Sequence, residues 1–86
     1  MSEIQQKLIK IFWAGLELEI KEEEVQGLTR ANCPAWDSMG HLNVLLATEQ
    51  TFQVAISDEI GASVASYWGL VELVERLTHG NRIQPA

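Results

Sequence analysis

The chain has a single cysteine, Cys33, so no internal disulfide can close and no fold stapled by disulfides is open to it. It carries six Lys and Arg against twelve Asp and Glu, a formal net charge of −6 at pH 7, which disfavours nucleic acid and anionic membrane as partners. Basic protein surfaces are the better expectation. No apolar run is long enough to span a bilayer and no leader-like pattern is present, so the expectation is a soluble cytoplasmic protein without membrane insertion. Two distant histidines and one cysteine offer no ligand set with metal spacing, and no Gly-rich loop could cradle a nucleotide phosphate. Internal repeats and low-complexity segments are missing as well.

What remains is 86 residues, 47% of them hydrophobic, enough for one small core. A chain of this size buries only about 60% of its unfolded surface, which leaves little room for an active site of many parts. The expected division is one domain over residues 1–80 and a flexible tail over 81–86, where Pro85 stands among residues with little to pack.

Ser2 to Gln5 reads as a capping box, after which Ile4, Leu8, Ile11, Phe12 and Leu16 recur at helical spacing and predict a helix from residue 3 to about 17. Trp13 lies off that stripe, as a rim residue or a contact with another protein. Glu17, Glu19, Glu22, Glu23 and Glu24 then make a dense acidic stretch in which Ile20, Val25 and Leu28 are spaced as anchors, so a long connection pinned to the core is expected. The acids form a solvated face or steer a basic partner. Gly27, Asn32 and Pro34 interrupt helix between about 26 and 37. Cys33 has no basic neighbour but Arg30 and no His or Asn constellation to complete a nucleophile, and is read as inert or incidental.

The informative stretch is Trp36-Asp37-Ser38-Met39-Gly40-His41-Leu42, a polar step opening into an apolar helix expected over about 38–53. Asp37 is a good N-cap residue. Ser38 then falls in the first turn, where unpaired backbone N–H groups and the positive end of the helix dipole favour a phosphate. The apolar residues of this helix cover more than one face: Val44, Leu45, Thr48 and Phe52 form one stripe, Met39, Leu42 and Leu46 another. Either the helix is buried all round, or the second stripe stays exposed for docking. Ser57 followed by Asp58 and Glu59 predicts a short helix over about 58–64. Ser66 restarts the chain, and Trp68, Leu70, Val71, Leu73, Val74 and Leu77 predict a final helix to about 78, stopped at Gly80. His79 would lie at its C-terminal end, where the dipole favours a cation.

Asp-Ser-Met-Gly, followed by an apolar helix ending Glu49-Gln50-Thr51-Phe52, resembles the phosphopantetheine attachment site of acyl and peptidyl carrier proteins, with Met39 in place of the usual leucine. The spacing of polar and apolar positions continues to match through Val54, Ile56, Asp58, Glu59, Val64 and Val71. Trp36-Asp37-Ser38 and Gly40-His41-Leu42-Asn43 look most like free-standing carriers, and Asp-Ser-Met-Gly is also similar to D-alanyl carrier proteins. The resemblance implies an all-α, four-helix bundle with a short third helix and a long first loop. It implies a carrier, not an enzyme: a phosphoprotein bearing 4′-phosphopantetheine on Ser38, taken from coenzyme A by a phosphopantetheinyl transferase. The arm would hold an acyl or aminoacyl group as a thioester, loaded by an activating ligase and passed to a downstream acyltransferase or condensing enzyme.

In this reading Asp37 and His41 lie at the base of the arm, and Met39, Leu42, Leu46 and Glu49 face partner enzymes. Gly40, Asn43, Gln50 and Thr51 are neutral where fatty-acid carriers tend to be acidic, and Leu70 and Leu73 are large where long chains need room. The first argues against docking to primary fatty-acid enzymes, and the second points to a small or polar cargo held outside the bundle, with small acyl or aminoacyl groups preferred. Two other classes compete. Ser38 and His41, one turn apart, could act as nucleophile and base of a hydrolase, but the sequence signals neither an orienting acid nor an oxyanion loop. An unmodified adaptor would keep the fold and use its apolar stripe and acidic surface only to bind proteins.

Overall fold

The computed structural model describes residues 2–83, with side chains described through Thr78. It is all-α: α1 Glu3–Gly15, α2 Glu22–Gln26, α3 Ser38–Phe52, α4 Asp58–Ser63 and α5 Tyr67–Ile83. Ser2 caps α1, its hydroxyl accepting from Gln5 N–H at 3.2 Å. The helix ends at Gly15 rather than near 17, because Glu17 takes a left-handed conformation with φ 53°. Leu18 N–H then closes back on the Trp13 carbonyl at 2.9 Å, the hydrogen bond of a Schellman stop. Gln53 ends α3 in the same way, with φ 54° and Val54 N–H reaching the Glu49 carbonyl at 3.2 Å.

The first connection is more ordered than a pinned loop. Val25 is fully buried and Leu18, Ile20 and Leu28 pack on the core, and between these anchors Glu22–Gln26 forms one turn of helix. Glu24 helps start it by accepting from Lys21 N–H at 3.1 Å, and three glutamates in a first turn suit the positive end of the dipole. The described residues therefore form five helices where four were expected. Trp13 is a rim residue that also holds the connection down, its indole N–H donating to the Ile20 carbonyl at 2.7 Å.

Helix lapses across 27–37, as the breakers imply, and this segment is tied to the start of α5. An isolated bridge pairs Thr29 with Ser66, Arg30 N–H donates to the Ala65 carbonyl at 2.9 Å, and Tyr67 N–H donates to the Leu28 carbonyl at 3.0 Å. Ser66 caps α5 by accepting from Gly69 N–H at 2.9 Å. The helix does not stop at Gly80 but runs to Ile83, so residues 81–83 of the expected tail are helical. A glycine costs a helix only about 1 kcal/mol relative to alanine, which weakens a turn without ending it. Residues 84–86 and the His79 side chain lie outside what is described.

α1 is the hub. It packs on α3, α5 and α2 together, which is why Ile9 is buried along with Leu8, Ile11 and Phe12, widening the expected stripe. Phe12 stands edge-on to Trp36, ring centroids 4.9 Å apart, and to Tyr67 at 5.6 Å, so α1, the lead-in to α3 and the start of α5 share one aromatic cluster. The Tyr67 hydroxyl donates to the Gln5 carbonyl at 3.0 Å.

Burial of its phenol, with a smaller push from the nearby Glu22 charge, raises Tyr67 from 10.0 to about 12. An acid whose folded pKa lies above its unfolded value keeps its proton longer in the folded state. The stability it contributes is intact below pH 10 and is lost as pH rises toward 12. Because the chain has one tyrosine, its tyrosinate absorbance should titrate with a midpoint near 12, and stability to urea should fall above pH 10. A midpoint at 10 would place the ring in solvent.

Candidate functional site

Asp37 opens α3. Its backbone is extended, its carboxylate accepts from Gly40 N–H at 2.8 Å, and its carbonyl accepts from His41 N–H, also at 2.8 Å. Ser38 is the first helical residue and is exposed, so its hydroxyl stands in solvent beside the helix N-terminus. The N–H groups of a first helical turn lack intrahelical acceptors, and the dipole there is positive, so an anion joined to this hydroxyl would be well placed.

Beneath Ser38, the indole N–H of buried Trp36 donates to His41 Nδ1 at 2.9 Å, and His41 Nε2 lies 2.8 Å from the Gly61 carbonyl oxygen. An indole nitrogen can only donate, so Nδ1 must be the acceptor and the hydrogen sits on Nε2, aimed at the carbonyl. His41 is 8% exposed and both nitrogens are committed. It is therefore not placed as the base of a Ser38 nucleophile, the role read from its spacing, although the residue lines the surface beside the serine.

That surface is a groove of about 400 Å³ starting at Ser38. Leu42, Leu45 and Leu46 form its α3 wall, and Ile56, Ser57 and Ala62 its far wall. Glu49, expected to face partners, is half-buried and accepts from Ile56 N–H at 2.8 Å, which ties the segment after α3 back onto the helix. One oxygen of its carboxylate is thus engaged on the groove wall. The remaining expected docking residues are at the surface: Met39 is 70% exposed, Leu42 53% and Leu46 47%. Val44 and Thr48 are buried and Leu45 and Phe52 half-buried, so the two stripes of α3 divide between core and solvent. The exposed positions Ser38, Met39, Leu42, Asn43, Leu46, Gln50 and Thr51 carry no charge.

Gly40 is neutral for a reason the sequence does not reveal. A Cβ there would lie 2.6 Å from both the Ala35 carbonyl oxygen and Leu16 Cδ2, so no side chain of any kind fits where α1 meets the start of α3. Cys33 is buried, consistent with an inert thiol. Among the described residues no group of three His, Cys, Asp or Glu side chains could hold a metal ion, and no helix is long and apolar enough to cross a membrane. In comparisons with known proteins the chain matches no family model, no curated protein and no solved structure.

Gly40→Ala pits a helix-propensity gain of about 1 kcal/mol against overpacking that includes a backbone oxygen. The clash should win, lowering unfolding free energy in urea by about 1–2 kcal/mol net. Unchanged or higher stability would show that Ala35 and Leu16 yield freely.

Proposed function

We propose that Ser38 is the attachment point of 4′-phosphopantetheine and that the chain is an acyl or aminoacyl carrier. The observation that carries this reading is an exposed serine at the N-terminus of a capped helix whose apolar residues Met39, Leu42 and Leu46 stay outside the core. Ser38 Oγ would attack the pantetheine-side phosphorus of coenzyme A, the pyrophosphate P–O bond would break with adenosine 3′,5′-bisphosphate leaving, and the serine proton would pass to a base of the transferase, so the serine itself needs no activating neighbour. The first turn would hold the phosphate through the N–H groups of Ser38 and Met39, since the Gly40 N–H is taken by the Asp37 carboxylate. When bound, the group supplies a terminal thiol that carries cargo as a thioester.

The residues present fit such a group. Ser38 lines the groove walled by Leu42, Leu45 and Ile56, about 400 Å³ in volume. Leu70 and Leu73 are buried and fill the interior, which favours a small acyl or aminoacyl cargo carried outside the bundle. The alternation of long and short helices fits a bundle of the carrier type, with α2 an added turn in the first connection. The partners are a phosphopantetheinyl transferase, an activating ligase and a downstream acyltransferase or condensing enzyme, and they meet an uncharged α3 surface with apolar anchors.

Intact-protein mass spectrometry after incubation with coenzyme A, Mg²⁺ and a broad-specificity phosphopantetheinyl transferase tests this directly. A gain of one phosphopantetheine is expected, absent in Ser38→Ala. Folded protein that gains no mass with several transferases would leave the apolar stripe as the working surface of an unmodified adaptor.

A further inference from the structure

α4 has six residues, of which only Gly61 is buried, and glycine brings no side chain to the core. Asp58, Glu59, Ile60, Ala62 and Ser63 are all exposed. So short a helix is not stable on its own, and a segment with this little apolar burial sits at the low-stability end of a fold. What fastens it is specific. Leu45 closes on Gly61, where a Cβ would stand 2.8 Å from Leu45 Cδ1, and buried Val64 anchors the C-terminal end. Glu49 holds Ile56 N–H ahead of the helix. The remaining fastener is His41 Nε2–H on the Gly61 carbonyl, a carbonyl that also accepts from Val64 N–H at 3.2 Å.

The same imidazole is bound at its other nitrogen by Trp36, and its backbone N–H is bound by Asp37, the residues immediately ahead of Ser38. Each link polarises the next, and a buried indole N–H without its acceptor is costly, so the ring cannot follow α4 outward without disturbing the start of α3. We infer that the Trp36–His41–Gly61 chain is a latch that couples the seating of α4 to the geometry around Ser38, and that His41 is a positioning residue for that serine. When α4 lifts, the groove loses the part of its far wall that Ala62 supplies, and the serine its fixed setting. The latch stands on the structure alone; its consequence for Ser38 modification rests on the carrier reading.

Native-state hydrogen exchange by NMR tests it, with two variants that separate the ring's bonds. His41→Asn keeps an acceptor for Trp36 but is too short to reach Gly61, whereas His41→Gln keeps a donor at the Nε2 position. In the unaltered protein the Gly61 and Val64 amides should exchange roughly tenfold or more faster than the Phe12 amide of α1. Exchange of all three at one rate would overturn the latch. In His41→Asn the α4 amides should speed up by a further ~3- to 10-fold relative to Phe12, while His41→Gln keeps them near the original rate. Equal acceleration in both variants would contradict the role of the Gly61 bond. If His41→Asn does not fold, the unaltered protein and His41→Gln decide the matter.

The rate at which the transferase loads phosphopantetheine onto Ser38 should fall several-fold in His41→Asn and recover in His41→Gln. An unchanged loading rate with a loosened α4 would remove the positioning role. No loading of the unaltered protein would remove the carrier reading and leave the exchange result standing.

Discussion

The site depends on one imidazole held between a donor that can only donate and a carbonyl that can only accept. Trp36 fixes the tautomer of His41, the tautomer fixes which nitrogen reaches Gly61, and that bond seats α4 beside α3. Trp36 is itself placed by Phe12 of α1 standing edge-on to it, so the polar chain is anchored in the aromatic core. Leaving any member unpaired would cost about 1–3 kcal/mol, a sizeable share of the stability of so small a domain. Among the described residues no buried side-chain nitrogen or oxygen lacks a partner.

Around this support α3 has two unlike faces. One gives Val44 and Thr48 to the core, the Thr48 hydroxyl satisfied by the Val44 carbonyl at 2.7 Å. The other leaves Met39, Leu42 and Leu46 in solvent next to an exposed serine, a loss of burial that folding alone does not explain. Exposed acidic charge lies on Glu17, Glu19, Glu22, Glu23 and Glu24 after α1 and in α2, and beside the groove on Asp37, Asp58 and Glu59. In the proposed carrier these acids would supply long-range attraction to a basic partner, while α3 would supply apolar contact and the serine.

Much of this was legible in the sequence. Helical spacing and the serines at 2, 57 and 66 located the starts of α1, α4 and α5, and Asp37 that of α3, because capping is a local matter of one side chain and the next turn. The anchors Ile20, Val25 and Leu28 were legible, but not the helical turn that forms between them. Helix ends were less so: Glu17 and Gln53 adopt left-handed conformations that residue type does not announce, and Gly80 does not break α5. Ser38, Met39, Leu42 and Leu46 sit at the surface, an outcome that the pattern of apolar residues alone left open. His41 and Glu49 are turned to internal use by partners at Trp36, Gly61 and Ile56, and Gly40 is required by Ala35 and Leu16. Contacts of that kind appear only once the chain is folded.

Nitrogen-15 NMR of the His41 ring tests this architecture most directly. Long-range proton–nitrogen correlation in folded protein near pH 7 should show a hydrogen on Nε2 and a lone pair on Nδ1, with the Trp36 indole N–H protected from exchange with solvent. A hydrogen on Nδ1, or an indole N–H that exchanges as freely as an exposed one, would contradict it: Trp36 would then not be holding His41, and the support beneath Ser38 would have to lie elsewhere.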